Sequence, residues 1–271
     1  MNVALSLFRA KNRMMGTLFP AKAAQHASEL FLSPRKFPLK DWEQNMEQRG
    51  RRLALDNGLS AIVWGDSARR ILLVHGWESR ATQMSGFVEA LLAADYQVIA
   101  VDGPAHGQSS GNRANPYLFS RAVLQVYAKL GPFEGVVGHS MGGNAVATAI
   151  AEGLECPKVV LISSPSSIES VLKRFAKFVG LPKNSAHEFV RLVEEAVGKP
   201  ARALDTAANL RDNTSEGLVI HDMEDREIPY REALEIVKHW KSSSLFSTEG
   251  YGHRAIVRQD RVWNKVAEFL A

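Results

Sequence analysis

Short apolar runs that alternate with helical segments constrain this sequence more than any other feature. Eight runs are typical of strands, namely residues 53–56, 60–64, 70–74, 97–101, 134–138, 158–163, 217–221 and 243–247. Helical patterns follow the third run and later ones, roughly at residues 81–94, 117–130, 141–153, 230–240 and 255–270. Strands that alternate with helices predict an α/β fold whose mostly parallel sheet is covered on both faces.

Two departures from this alternation refine the prediction. The sequence Asp56-Asn57-Gly58 separates the first two runs and is typical of a hairpin turn, so the sheet should begin with an antiparallel pair. Residues 165–216 contain two amphipathic helical patterns, at about 167–179 and 186–197, with no strand between them. We expect this interval to be a small helical lid inserted between two strands.

The sequence GHSMGG at residues 138–143 is the strongest chemical signal in the chain. It follows a strand and opens a helix, which is the context of the nucleophile elbow G-x-S-x-G. Such a turn exposes the serine hydroxyl at the carboxyl end of the strand, and its glycines let helix and strand approach closely. Ser140 is therefore the candidate nucleophile.

With this elbow, the chain resembles the α/β-hydrolase family over nearly all of residues 53–271. Four further segments are similar to family motifs and follow in the family's order: LVHGW at 73–77, DGPAHGQS at 102–109, HDMEDREIP at 221–229 and GH at 252–253. The resemblance implies a serine hydrolase. Two positions depart from the family pattern, because Ala105 and Asp222 stand where glycine is usual.

The resemblance also implies a catalytic triad. Ser140, Asp225 and His253 occur in the family's chain order, with His253 as the base and Asp225 as the acid that orients it. Asp222 remains an alternative for the acid, because it lies in the same segment. A structural histidine or a solvated loop charge is the ordinary alternative for each of these side chains.

An oxyanion needs two preorganised N–H donors. One should be the backbone of Met141, which follows the nucleophile, and the resemblance implies that the other is the backbone of Trp77. The Trp77 indole is expected either to line the acyl pocket or to pack in the core. His75, Gly76 and His139 lie in the same motifs, and we expect them to line the pocket or shape its turns.

Other classes of function have little support. The only cysteine, Cys156, excludes an internal disulfide and any multi-cysteine metal site, and no HExxH, Rossmann or P-loop pattern occurs, so no metal or cofactor is expected. Basic residues are not interleaved with aromatic ones as in nucleic-acid binders. No run of 18 apolar residues exists, and the N-terminus lacks the order of a secretory signal, so we expect a cytoplasmic protein.

Residues 1–52 form an N-terminal extension ahead of the hydrolase domain at 53–271. The extension holds ten Lys and Arg against four acids, although the whole chain is only +4. Residues 1–24 can form a helix with Val3, Leu7, Met14, Met15 and Leu18 near one face, and residues 32–40 read as a connector. We favour a helix that packs on the body over one that contacts a membrane surface or a partner.

These observations predict hydrolysis of a carboxylic ester through an acyl-serine intermediate. The Val, Phe and Leu content of the expected lid favours a small-molecule ester with an apolar acyl or alkyl group. Thioesterase, amidase or peptidase, carbon–carbon hydrolase and acyltransferase remain alternatives, because one fold and triad host many reactions. A binding protein that keeps the fold without turnover is an alternative of another class. The oligomeric state is not indicated.

Overall fold

A computed structural model describes residues 3–271, which form an eight-stranded sheet with helices on both faces. The strands in chain order are β1 Arg51–Ala54, β2 Ser60–Trp64, β3 Arg70–Val74, β4 Gln97–Asp102, β5 Gly135–His139, β6 Lys158–Ile162, β7 Glu216–Asp222 and β8 Ser243–Thr248. Every strand that the apolar runs predict is present, with bounds that differ by at most two residues.

The sheet has the order β1-β2-β4-β3-β5-β6-β7-β8. Strand β2 pairs antiparallel with both β1 and β4, and all the remaining pairs are parallel. The antiparallel hairpin turns at Asp56–Gly58, where the Leu55 N–H donates to the Leu59 carbonyl. The predicted α/β-hydrolase architecture, a mostly parallel sheet with a leading antiparallel hairpin, is thus confirmed.

Twelve α-helices cover the described residues. They are α1 Val3–Leu18, α2 Pro20–Leu32, α3 Asp41–Arg49, α4 Val88–Ala93, α5 Pro116–Leu130, α6 Met141–Ala151, α7 Ile168–Val179, α8 Lys183–Val197, α9 Thr206–Asn209, α10 Arg231–His239, α11 Gly252–Ala255 and α12 Asp260–Leu270. Short 3-10 turns precede α4 and α9 and join α11 to α12. Helices α4 to α10 lie in the connections between parallel strands, as such a sheet requires.

The sheet separates two hydrophobic layers. In β3, Leu72 and Val74 face one layer with α5 and α6, whereas Ile71 and Leu73 face the other with α4 and α12. All four side chains are at most 1% exposed. Alternate residues of a strand point to opposite faces, so burial of every position explains why these strands read as continuous apolar runs.

A third hydrophobic cluster lies apart from the sheet and joins the extension to the helices between β6 and β7. Ala24 and Leu32 of α2 are buried there with Leu172 of α7 and Phe189 of α8. The apolar faces of α7 and α8 are therefore used against α2. Residues 3–52 share this core with the helical interval and do not build one of their own.

The extension differs from its predicted form in two ways. The expected helix over residues 1–24, whose first two residues lie outside the described part, is divided at Phe19, because Pro20 has no N–H with which to continue α1 and instead begins α2. Helix α1 packs on the body as favoured, but not through the predicted apolar face. Val3, Leu7, Met14 and Leu18 are between 58% and 72% exposed, so most of the apolar face of α1 is turned to solvent.

Candidate active site

Ser140 sits on a strained turn between β5 and α6. Its φ of 54° and ψ of −121° lie in a region that L-residues rarely adopt. The turn is tight because Gly138 lies against the helix start, where an added Cβ would come within 2.5 Å of the Gly143 Cα. The Ser140 N–H donates to the Ile162 carbonyl of β6 at 2.8 Å. The sequence thus places a nearly buried hydroxyl at the carboxyl edge of the sheet.

Three side chains from separate parts of the chain meet at this turn. The Nε2 atom of His253 lies 2.9 Å from the Ser140 Oγ, and its Nδ1 lies 2.7 Å from Oδ2 of Asp225. Asp225 follows β7 and His253 follows β8, so neighbouring strands deliver both groups to the same edge of the sheet. All three side chains are at most 9% exposed.

The Asp225 carboxylate is fixed by contacts on both oxygens. Oδ1 accepts hydrogen bonds from the backbone N–H groups of Glu227 and Ile228 at 2.8 and 2.9 Å, which leaves Oδ2 for His253. Burial alone would raise the pKa of Asp225, but hydrogen bonds from His221 and His253 hold that pKa well below its usual range. The carboxylate is therefore charged at neutral pH and can hold the proton of His253 on Nδ1.

Asp222, the alternative acid, serves a different purpose. Its Oδ2 accepts hydrogen bonds from the Thr248 hydroxyl at 2.8 Å and the Tyr251 N–H at 3.0 Å, and its Oδ1 accepts from the Glu224 N–H at 3.1 Å. Burial opposes ionisation, but these donors lower the pKa of Asp222. The side chain joins the loop after β7 to the segment that leads to His253, and these hydrogen bonds do not involve the imidazole.

The side chain of His139 also helps to position the base, because it binds the backbone of His253. The His139 Nε2 lies 2.9 Å from the His253 carbonyl oxygen, and the two rings are 5.1 Å apart. Burial, followed by the nearby His253, lowers the pKa of His139 to about 3, so its ring is neutral and Nε2–H donates. His139 lines the cavity at Ser140 and helps to hold the turn that carries His253.

The backbone N–H groups of Trp77 and Met141 belong to two segments that adjoin Ser140. Met141 begins α6, and Gly76 packs so closely that an added Cβ would lie 2.9 Å from the Ser140 Cβ, which brings the next residue, Trp77, to the nucleophile. Among the turns and loops of residues 3–271, no backbone hydrogen bond uses the N–H of Trp77 or Met141. The helix start at Met141 also favours negative charge.

Two buried histidines fix the peptides on either side of Trp77. The Nδ1–H of His75 donates to the Gly76 carbonyl at 2.7 Å while its Nε2 accepts from the Gly103 N–H at 2.9 Å. Nε2 of His106 accepts from the Glu78 N–H at 3.0 Å. His75, expected to line the pocket or shape its turn, is fully buried beneath the turn and does not line the cavity.

Both histidines must be neutral to accept these bonds. Burial, with His106 as the next cause, lowers the pKa of His75 well below its usual value, and burial likewise lowers the pKa of His106 to about 4. The sequence motifs place both histidines near turns, but they do not indicate which backbone groups the two rings bind.

A cavity of about 620 Å³ opens onto Ser140 and His253. Its apolar wall is formed by Phe37, Pro38, Leu39, Trp77 and Val257. The first three belong to the connector between α2 and α3. Sequence reasoning missed them, since the prolines of LSPRKFPLK indicate a connector but not where it lies. The Trp77 indole both lines the cavity and stacks on Phe31 of α2 at 6.3 Å.

Charged side chains surround this wall in near balance. Arg254 pairs with Glu227 at 2.9 Å, and Arg80 approaches the buried Glu43 at 3.5 Å. Arg258, also at the cavity, donates to the Gln83 side chain at 2.7 Å. None of the residues 165–216 lines the cavity, so their Val, Phe and Leu side chains give no evidence for an apolar substrate.

Two features of other protein classes are absent from residues 3–271. No group of three His, Cys, Asp or Glu side chains there could hold a metal ion. No helix in the same range has the length and apolar character needed to cross a membrane.

Comparison with known proteins agrees with this architecture. A 2-hydroxy-6-oxononadienedioate/2-hydroxy-6-oxononatrienedioate hydrolase of Cupriavidus pinatubonensis is 26% identical over 257 residues, covering 76% of this chain and 88% of its own. An esterase of Mycobacterium tuberculosis is 33% identical over 118 residues, covering 41% and 38%. The chain spans from 28% to 88% of the length of the curated relatives that it matches.

Solved structures show the same fold at low identity. An esterase of Pyrococcus furiosus superposes with a TM-score of 0.64 at 20% identity, covering 88% of this chain and 98% of that one. The sequence profile described as the alpha/beta hydrolase family matches residues 71–265, well over half of the chain. This protein therefore belongs to the alpha/beta hydrolase family.

Proposed function

We propose that this protein is a serine hydrolase that cleaves a small carboxylic ester. The proposal rests on one observation above all, the hydrogen-bonded series Asp225–His253–Ser140, of which Ser140 and His253 line a cavity. Neutral His253 presents an unprotonated Nε2 to the Ser140 hydroxyl, because Asp225 holds the ring proton on Nδ1. Esterases among the similar proteins support the choice of an ester bond.

In the proposed mechanism, the Ser140 Oγ attacks the ester carbonyl while His253 Nε2 takes its proton. The resulting oxyanion is stabilised by the N–H groups of Trp77 and Met141, and the charge of Asp225 stabilises the imidazolium. His253 then gives its proton to the leaving alkoxide, and the alcohol departs. Water, deprotonated by His253, attacks the acyl-serine, and collapse of the second intermediate returns the proton to Ser140 and releases the acid.

The test is covalent labelling by a fluorophosphonate, together with turnover of p-nitrophenyl esters of increasing chain length. Ser140→Ala should lose the label and nearly all turnover, leaving on the order of 10³–10⁴ over water. Ser244→Ala is the matched control, because its exposed hydroxyl lies on β8 away from the site. Undiminished labelling of Ser140→Ala would refute the proposal, and a wild-type chain that neither labels nor turns over would be a binding protein.

A second candidate is cleavage of a carbon–carbon bond in an unsaturated keto-diacid. The Cupriavidus relative is named as a hydrolase of such compounds, and three arginines border the cavity here. Two of them are already engaged with acids, Arg254 with Glu227 and Arg80 with Glu43, which favours the ester. A substrate panel with matched ester, thioester, amide and 2-hydroxy-6-oxo-diene diacid members ranks these reactions by kcat/KM.

A further inference from the structure

The helix α1 presents an apolar stripe to solvent that the proposed hydrolase chemistry does not use. Val3, Leu7, Met14 and Leu18 are 72%, 67%, 58% and 62% exposed. At about 100° per residue these four positions fall within roughly 60° of the helix circumference. Phe19, which follows the helix, is also 51% exposed. Large side chains scattered singly on a surface are ordinary, but a continuous stripe of this kind marks an interaction site.

The opposite side of α1 is anchored to the protein. The Asn12 amide donates to the Val179 carbonyl at 2.8 Å, and the Ser185 hydroxyl donates to the Gly16 carbonyl at 2.8 Å. Gly16 is buried against Pro182, where an added Cβ would lie 2.5 Å from the Pro182 Cδ. The helix is thereby held on the α7–α8 connection in one orientation, which leaves the stripe facing outwards.

Basic side chains flank the stripe on both sides. At helical spacing, exposed Lys11 borders it on one side and exposed Arg13 on the other. No Asp or Glu occurs before Glu29. Arg13 also borders a groove of about 940 Å³ between α1, α7 and α8, whose rim carries Lys173, Lys177 and Lys183. Only Lys173 among the three rim lysines forms an ion pair with a carboxylate, Glu169, within residues 3–271.

We propose that α1 and the basic rim of this groove dock the protein on an anionic lipid bilayer. The stripe would enter the boundary between headgroups and acyl chains, with Lys11 and Arg13 at the level of the phosphates. A second copy of the chain fits this face less well, because a symmetric contact would bring Lys11 and Arg13 against their own counterparts without an acid to pair them. Charge thus selects the lipid surface as the partner.

The test is flotation of the full chain with vesicles of phosphatidylcholine alone or mixed with phosphatidylglycerol. Binding to the mixed vesicles should weaken between about 0.1 M and about 1 M salt, as the Debye length falls from about 10 Å to about 3 Å. Each basic residue near an anionic surface contributes roughly fivefold in partitioning. The variant L7E/K11E should therefore bind at least tenfold more weakly than the wild type.

Matched variants separate docking from folding. L234E/K238E makes the same changes at exposed positions four residues apart on α10, and it should bind as the wild type does. A second pair, R13E/M14E, should reproduce the loss seen with L7E/K11E. Melting temperature must stay unchanged in every variant used. None of these readouts depends on hydrolysis, so they stand or fall independently of the proposed function.

Several results would overturn the proposal. They are no binding of the wild type to mixed vesicles, equal binding to neutral vesicles, or full binding by L7E/K11E. A concentration-dependent dimer that L7E/K11E abolishes, in a wild type that ignores vesicles, would assign the stripe to a second copy instead.

Discussion

Asp225→Asn should nearly abolish turnover by placing the wrong proton on His253. The backbone N–H groups of Glu227 and Ile228 both point at Oδ1 of Asp225. In the variant, the amide oxygen must face these two donors. An NH₂ group in that place would point its hydrogens at the hydrogens of the two backbone N–H groups, and no hydrogen bond would form. The amide NH₂ then faces His253 Nδ1, which is 2.7 Å from Oδ2 in the native protein.

The magnitude follows from this forced orientation. Nδ1 of His253 becomes an acceptor, so the ring proton moves to Nε2, the atom that must accept the Ser140 proton. In a serine protease, the same change leaves the histidine in the wrong tautomer and costs about 10⁴ in kcat. We expect a loss of that order here in a variant that still folds, since side-chain volume and the two backbone hydrogen bonds are kept.

Asp222→Asn is the matched control for the assay. It removes the same charge three residues earlier in the chain. The hydrogen-bond partners of Asp222 are Thr248, Tyr251 and Glu224 and not His253. It should cost roughly 1–3 kcal/mol of stability, because a buried donor loses its acceptor, and should reduce kcat far less than Asp225→Asn. Steady-state kinetics on a p-nitrophenyl ester and thermal unfolding give both readouts. The reverse ranking of kcat would assign the acid to Asp222.

Two further predictions concern stability. With burial as the main cause, the pKa values of His106 and His139 fall to about 4 and about 3, so both stay neutral in the folded chain at pH 5 while the unfolded chain binds protons. Stability should be complete above about pH 6.5 and fall by roughly 2 kcal/mol per histidine by pH 5 in urea titrations; a flat profile would contradict these directions. Gly142→Ala should cost about 3 kcal/mol, since its Cβ would lie 2.3 Å from the Val74 carbonyl oxygen; unchanged urea unfolding would refute this clash.

The central sheet was predictable because its strands are buried on both faces. Residues 158–162, for example, leave only Lys158 partly exposed, so composition alone marks β6. The edge strand β1 was harder to delimit. It begins at Arg51, two residues before its apolar run, because the ladder to β2 depends on backbone pairing and continues through residues that stay partly exposed.

The sequence indicates the three side chains of the candidate triad, but not the residues that hold the surrounding loops in place. Motif order named Ser140, Asp225 and His253, and the structure brings these three together. The hydrogen bonds of His75 and His106 join the turn after β3 to the loop after β4. Such contacts depend on register between distant segments, which no local pattern encodes. The boundary placed between residues 52 and 53 stays a prediction.

The connector between α2 and α3 forms part of the cavity beside Ser140. The family profile begins at residue 71, yet Phe37, Pro38 and Leu39 supply much of the apolar wall beside Ser140. They are held there by the Arg35–Glu78 ion pair of 2.7 Å and by a hydrogen bond from the Arg80 guanidinium to the Phe37 carbonyl. Residues outside the region that matches the family profile thus shape the cavity beside Ser140 and His253. We therefore expect substitutions at Phe37 and Leu39 to change which substrates fit, without altering Ser140, Asp225 or His253.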